Sequence, residues 1–596
     1  MKLSSGPRWE AGWRRPPGIT PSAPAAGVKA YAAVVAIPPA VLLAARTTTA
    51  LVLVALGAVL AVRPFTSLAV LLLLLVVGLV VLAAGELVDL PDDPVHRRLA
   101  QARAAVAVLA AVVLVLWTGA GIAAVVVVVG AGLLGHGVLE LWTARRLHAT
   151  ERWSAALGGI ASVALGLLAL TWPDVSVVLI GVLFGVRLVL LGDRVLFGRR
   201  RRDRRSVAGS ALVAALALAL LVLGLTLDRA APRPDAFYSA PASVPSEPGR
   251  LLRSEPFTRD IPDGAQAWRI LYTTTLDDGV PALASGLVVV PRERSGPLPV
   301  VAWAHGTTGA ARGCAPTVGE PFESGAFYAL DDVLDRGWGL VATDYPGLGT
   351  AGPHPYLIGQ GEGRSVLDAT RAARELTAAG LGEQTVVWGH SQGGHAALWA
   401  GALAPSYAPD VRLDGVAALA PAANLPALVD SLDEVTGGEI FASYVIDAYA
   451  RAYDDIRLAD YVRPAARPIV RETAARCLGE PSMLVSVATV LSLDKPIWSH
   501  DPGAGSLAVR LRENVPTGPV AAPLLLAQGA ADELVTPAAQ DAYVADRCTG
   551  GQPVDHRTYP GRDHVGLVEA DSPAIADLLT WTEERFAGQP GRDTCS

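Results

Sequence analysis

A helical membrane bundle followed by an α/β domain with a mostly parallel sheet is the fold class predicted by three features of the sequence. The chain is 51% hydrophobic and only 18% charged, and most of the apolar excess lies before residue 228. Beyond residue 260, β-branched runs alternate with Ala-rich helical ones. All four cysteines, Cys314, Cys477, Cys548 and Cys595, fall after the last apolar run, as expected of disulfides formed outside the cytoplasm. A length of 596 residues leaves room for about two to four domains. The net charge of −7 gives no sign of a nucleic-acid partner.

Residues 1–46 form a basic, Pro-containing tail without a compact signal-peptide pattern. Apolar runs follow at 47–62, 66–85, 101–118, 119–141, 154–172, 175–197 and 207–227. About 20 apolar residues cross a bilayer, so the first is short and the others suffice. Six of these make a membrane domain at 47–198, and an Arg-rich loop with a seventh helix occupies 199–227. Arg97, Arg98, Arg103, Arg145, Arg146, Arg152 and the run "RRRRDRR" (199–205) lie in alternate connections. The positive-inside rule therefore puts these loops and the N-terminus in the cytoplasm, and the seventh crossing delivers the rest of the chain outside. The segment "YAAVVAIPPAVLLAA" (31–45) would make the count eight if it spans, but its Pro-Pro pair and flanking positive charges favour a non-spanning or re-entrant segment.

An internal repeat aligns "GAVLAVRPFTSLAVLL" (57–72) with "GLLALTWPDVSVVLIG" (166–181). These helix–Pro–helix hairpins resemble the short membrane repeat of HdeD-like acid-resistance proteins over about residues 46–198. The resemblance implies a six-helix bundle and no chemistry. Charges that would mark a transport path are confined to helix ends, at Glu86, Glu140, Arg187 and Asp193.

Residues 228–260 are rich in Pro and Ser and read as an extended tether. Strands are predicted at 268–275, 284–291, 298–306, 337–347, 384–391, 413–421, 522–533 and 554–561, with helices near 326–336, 362–380 and 392–404. That alternation predicts a sheet covered on both faces.

Within it, "TVVW" reads as a strand, "HAALWAGAL" as a helix, and "GHSQGG" as the turn between them. The bare G-x-S-x-G pattern is weak, but this context makes it a nucleophile elbow, whose glycines permit the backbone that projects a serine hydroxyl above the sheet edge. Ser391 is the candidate nucleophile, and Gln392 the candidate oxyanion donor through its backbone N–H.

A serine hydroxyl needs a base, which in this arrangement is a histidine further along the chain, oriented by an acid between the two. His395, His500, His556 and His564 follow Ser391. His395 falls one turn into the helix, His500 has no acid on a strand end, and His556 lies inside the last strand. His564, in the loop "GRDHVGL", occupies the expected place. Asp532, in "GAADELVTP", is the preferred acid, with Glu533 as the alternative and Asp563 read as solvent-facing. A second oxyanion donor is expected from the turn "HGTTGAARGCAP"; Thr307 is assigned, with Thr308 and Gly309 as alternatives. His305 reads as a structural hydrogen-bonder and Asp344 as a turn residue.

The ordered set "HGTTG…CAP", "DYPGLGT…HPY", "GHSQGG", "GAADELVTP" and "DHVGL" resembles the secretory lipases, the yeast lipase A-related group of the α/β-hydrolase superfamily, over about 255–590. The resemblance implies an α/β-hydrolase domain at 261–590 with a helical cap at about 424–515, and hydrolysis of acyl esters with Ser391, Asp532 and His564 as the triad. It also implies a disulfide from the oxyanion loop to the cap, which would join Cys314 to Cys477 and leave Cys548 to pair with Cys595. Fusion to a membrane part departs from the secreted members and points to a lipid or envelope ester near the bilayer.

The expectation is thus a multi-pass cell-membrane serine esterase or lipase working outside the cytoplasm through an acyl-enzyme. An acyltransferase or peptidase with the same residues, or a membrane sensor or scaffold with an incidental hydrolase domain, are the alternatives. No cofactor, metal cluster or phosphate-binding loop is read from the sequence, since the cysteines lack paired short spacing and the histidines are scattered.

Overall fold

The computed structural model describes residues 47–58 and 76–87 in part, and 94–116, 122–147, 149–171, 189 and 205–595, the last without 323–326, 328, 492 and 494. The predicted spans at 66–85 and 175–197, the tail 1–46 and the segment 31–45 fall largely outside the described residues.

In the N-terminal half, helices run over Pro94–Leu116 (α1), Ile122–Ala144 (α2), Ala149–Thr171 (α3) and Arg205–Ala230 (α4). Among the described residues, Val127–Ala144, Arg152–Thr171 and Val207–Ala230 are long and apolar enough to cross a membrane, and Ala100–Val113 of α1 is a shorter apolar stretch. Helices α2 and α3 pack antiparallel along a glycine seam. A Cβ on Gly159 would lie 2.9 Å from the Gly137 carbonyl oxygen, and one on Gly166 2.9 Å from that of Gly130. Small residues let backbones approach this closely where lipid gives no hydrophobic drive for association. Helix α4 packs on α3 through Ala161, Ala164, Ala214 and Ala217, with Ser154 and Ser210 hydroxyls 3.0 Å apart.

The stretch read as a tether is only partly extended. Phe237 and Tyr238 are buried in a 3₁₀ turn, and Leu251–Phe257 forms a strand (β1) that the sequence did not announce. Pro256 and two charges interrupt its pattern. As an edge strand paired only with Ala265–Thr275 (β2), with a register shift between Leu251 and Arg253, it tolerates the proline's missing donor.

The remaining elements are Pro281–Pro291 (β3), Leu298–Ala304 (β4), Leu330–Asp335 (α5), Gly339–Thr343 (β5), Gly359–Glu375 (α6), Leu381–His390 (β6), Gln392–Tyr407 (α7) and Gly415–Leu419 (β7). After the cap come Leu524–Gly529 (β8) and Asp555–Tyr559 (β9). All eight predicted strands are present. They form one sheet in the order β1-β2-β3-β5-β4-β6-β7-β8-β9, antiparallel through the β3–β5 pair and parallel from there on. β6 alternates its side chains between faces, as a strand's period of two requires. Val386 and Trp388 enter a core with Trp303, Trp338 and Trp581, whereas Val387 enters another with Val366, Ala396 and Ala397. Both faces of the parallel part are thereby covered by apolar side chains.

The cap comprises Leu425–Ser431 (α8), Gly438–Ala452 (α9), Arg467–Ala474 (α10), Met483–Leu491 (α11) and Gly505–Glu513 (α12), with a single turn at Leu458–Tyr461. Its core gathers Leu425, Tyr444, Tyr449, Val470 and Val490 with Tyr356 and Val535, residues of loops beside the sheet. Disulfides join Cys314 to Cys477 and Cys548 to Cys595.

Candidate active site

The turn after β6 is built by close approach. Ser391 has φ 57° and ψ −119°, a conformation costing an L-residue about 1–3 kcal/mol. A Cβ on Gly389 would overlap the Gly393 carbonyl, and one on Gly393 the Ala304 carbonyl. Those two glycines let the elbow close against β4. The strained serine is locked by its backbone: its N–H donates to Leu419 O (3.0 Å), and its carbonyl accepts from Ala422 N (3.1 Å) and His395 N (3.2 Å).

From a loop 173 residues further on, His564 places Nε2 2.8 Å from Ser391 Oγ. Its Nδ1 lies 2.8 Å from Asp532 Oδ2. With Nδ1–H donating to the carboxylate, Nε2 is free to accept the serine proton. Asp532 is buried and loaded with donors: Oδ1 accepts from Leu534 N (3.0 Å) and Val535 N (2.8 Å), and Oδ2 also from Gln528 Nε2 (3.1 Å). These donors fix the orientation of the carboxylate toward the ring. Glu533 is exposed, and Asp563 is exposed and caps Gly566 N at 2.7 Å.

Gln392 opens α7, so its amide belongs to the free N–H groups of a helix start, where negative charge is favoured. The turn after β4 runs beside it: a Cβ on Gly306 would sit 3.7 Å from Ser391 Cβ. Thr307 follows, its hydroxyl 2.8 Å from the Tyr356 hydroxyl. Thr308 is committed elsewhere, with its hydroxyl on Cys314 O and its carbonyl accepting from Leu478 N. Gly309 bridges to Cys477.

Several polar residues behind the elbow carry no sequence pattern that announces them. The Gln392 amide group donates to Glu362 Oε1 (2.6 Å) and to His354 Nε2 (3.1 Å). His354 is then the Nδ1–H tautomer, donating to Pro346 O, and burial pushes its pKa down to about 3. Glu362, fully buried and raised by that burial, hydrogen-bonds His395 Nδ1 at 3.0 Å, while His395 Nε2–H donates to Asn514 O. His395 therefore faces away from Ser391. His390, inside the motif itself, donates from Nε2 to His564 O at 2.9 Å and is lowered to about 3 by burial. His305, lowered to about 4 by burial, binds Gly306 O through Nδ1. His500 is exposed and hydrogen-bonds Asp460 O through Nδ1, and His556 sits in β9. Among the described residues no group of three His, Cys, Asp or Glu side chains could hold a metal.

Residues 326–594 match the secretory lipase family, and 102–164 and 157–227 match a short repeat of unknown function, DUF308. The repeat matches reach through α4, past the 46–198 stretch expected from the sequence. Lipase 6 of Candida albicans is 24% identical over 403 residues, 61% of this chain and 84% of that protein. Lipase A of Moesziomyces aphidis is 24% identical over 425 residues, 66% and 90%. The solved closed state of Candida antarctica lipase A superposes with a TM-score of 0.52 at 19% identity, covering 61% of this chain and 87% of that one. Residues 326–594 thus match the secretory lipase family on the fold of a solved lipase, which supports a carboxylic ester hydrolase, and residues 102–227 match DUF308 short repeats.

Proposed function

We propose that this protein is a membrane-anchored serine esterase or lipase that hydrolyses lipid esters outside the cytoplasm through an acyl-enzyme. The observation that carries the reading is the unbroken relay Ser391 Oγ, His564 Nε2, His564 Nδ1, Asp532 Oδ2, with both links at 2.8 Å. In this reading His564 takes the serine proton as Oγ attacks the ester carbonyl, and the oxyanion is held by the amides of Gln392 and Thr307. The imidazolium, stabilised by Asp532, then protonates the leaving alcohol. Water attacking the acyl-enzyme gives its proton to the same ring and releases the acid. The hydrogen bond from His564 Nδ1 to Asp532, itself held by Leu534 N, Val535 N and Gln528 Nε2, orients the ring.

The proposed topology is multi-pass with a cytoplasmic N-terminus and the hydrolase domain on the far side. The Arg-rich connections support it, as do two disulfides confined to the part after α4. A membrane-impermeant fluorophosphonate probe applied to intact cells tests site and side together. Labelling of the wild type and none of Ser391→Ala is the expected result. Equal labelling of both would falsify the nucleophile assignment, and labelling only after lysis would reverse the topology. Product analysis with ester, amide and added alcohol acceptors separates hydrolysis from peptidase or transferase chemistry.

A further inference from the structure

Helix α11 of the cap, "MLVSVATVL", buries one side and leaves the other bare. Met483, Ser486 and Val490 face the cap core, while Leu484, Ala488 and Leu491, at spacings of four and three, form an outward apolar stripe. Leu484 is 73% and Leu491 59% exposed, the two most exposed large apolar side chains after α4 among the described residues. A monomeric soluble surface scatters such residues singly; a helical stripe of them calls for a cover.

The chain itself indicates what lies there. Helix α4 ends at Ala230, and two residues later the Pro232 carbonyl packs where a Cβ on Gly313 would fall. Gly313 precedes Cys314, which is bonded to Cys477 with Cα atoms 5.1 Å apart. Arg476, beside Cys477, donates from Nη1 to Ser486 Oγ in the middle of α11 at 2.6 Å. Each link is a direct contact or a covalent bond, so the exit of α4 and helix α11 occupy the same end of the domain. From Ala230, the end of α4, to Pro232 the chain spans at most roughly 7 Å at about 3.4 Å per residue. The oxyanion loop is part of this assembly, since Gly309 and Thr308 bridge to Cys477 and Leu478.

We infer that the outward face of α11 docks into the outer surface of the bilayer that α4 crosses, with the acyl-chain region of the lipid leaflet as its partner. This rests on the placement of α4 in the membrane and deepens the proposed function, because a cap seated on the leaflet admits an ester from lipid rather than from water. Leu484 and Leu491 enter the acyl boundary while Arg476 and Ser486 stay within the protein.

The full chain in phospholipid nanodiscs, with a diazirine-bearing phosphatidylcholine as probe, tests the docking directly. Photolysis is expected to place lipid adducts on the peptide containing 483–491 as well as on α4. Adducts on α4 with none on 483–491 would overturn the inference. The second arm is Leu484→Glu/Leu491→Glu, assayed on a long-chain ester in the bilayer and on a soluble acetate ester. A roughly tenfold loss on the bilayer substrate with unchanged turnover of the acetate is expected. Equal rates on both substrates, or equal losses on both, would reject docking. Absence of acetate turnover in the parent would instead sink the proposed catalytic reading, and the photolabelling result would stand by itself.

Discussion

His390 holds His564 from behind: its Nε2–H donates to the His564 carbonyl at 2.9 Å, and the two ring centroids lie 4.8 Å apart. The residue that precedes the proposed nucleophile thus also fixes the loop that brings the proposed base. Burial keeps the His390 ring neutral, so no positive charge sits beside the imidazole that must take a proton. His390→Ala is expected to cut kcat by about 10–100-fold with little change in KM, since a displacement near 1 Å of a reacting group costs on that order. His390→Gln retains a donor and should stay within about threefold. Steady-state kinetics on a soluble ester separates the two; equal losses in both variants would mean that the ring, not its donor, matters.

Stability should depend on pH through the buried histidines. Burial lowers His305 to about 4 and His354 and His390 to about 3. A depressed imidazole contributes stability that is complete above about 6.5 and is lost as pH falls toward the folded value, because only the unfolded chain takes the proton. Asp277, Asp344 and Asp368, raised to about 6 by burial, act the other way between about 6 and 4, where the folded chain holds protons that the unfolded one releases. Between about 6 and 4 these two sets oppose each other, and the three histidines act without that opposition near pH 6–6.5, as His354 and His390 do again below about 4. His390→Gln removes one group and should gain on the wild type by about 1.4 kcal/mol per pH unit below about 6.5. Unfolding at pH 7.5 and 5.5 measures it; a constant offset between the two proteins contradicts a neutral buried His390.

The Thr307 amide is the proposed second oxyanion donor, and its hydroxyl binds Tyr356 instead. Thr307→Pro deletes the N–H and should cost on the order of 10²–10³ in kcat. Thr307→Val deletes only the hydroxyl contact and should cost a few-fold at most. Comparable kcat values for the two variants would move the donor to another residue of the turn.

The two disulfides close loops of different length around different parts of the domain. Cys314–Cys477 spans 163 residues and Cys548–Cys595 spans 47. Chain entropy assigns them about 5 and about 4 kcal/mol respectively. Replacing either pair by serine should therefore lower Tm by similar amounts. Only Cys314→Ser/Cys477→Ser should also depress kcat well below its Tm, because Gly309 and Thr308 are pinned through Cys477 and Leu478. Unchanged kcat in that variant would uncouple the oxyanion loop from the cap.

The sequence by itself determined the local chemistry. The strand–turn–helix around Ser391, the eight strands, the apolar helices and the chain order of serine, aspartate and histidine follow from residue periodicity and from glycines at positions where a Cβ would collide with backbone. It could not announce β1, whose Pro256 and charges break the alternation and whose pairing depends on an edge that exists only once β2 is in place. Nor could it announce Gln528 on Asp532 or Glu362 on Gln392, because a buried polar contact leaves no periodic signature in either partner's surroundings. His390 was visible in the motif, yet its partner is a carbonyl 174 residues away. Tertiary structure alone decided which acid meets the ring, which cysteines meet, and that the chain leaving α4 packs on Gly313 next to the Cys314–Cys477 bond. Those are distances between remote segments, set by how the sheet and cap pack rather than by any local preference.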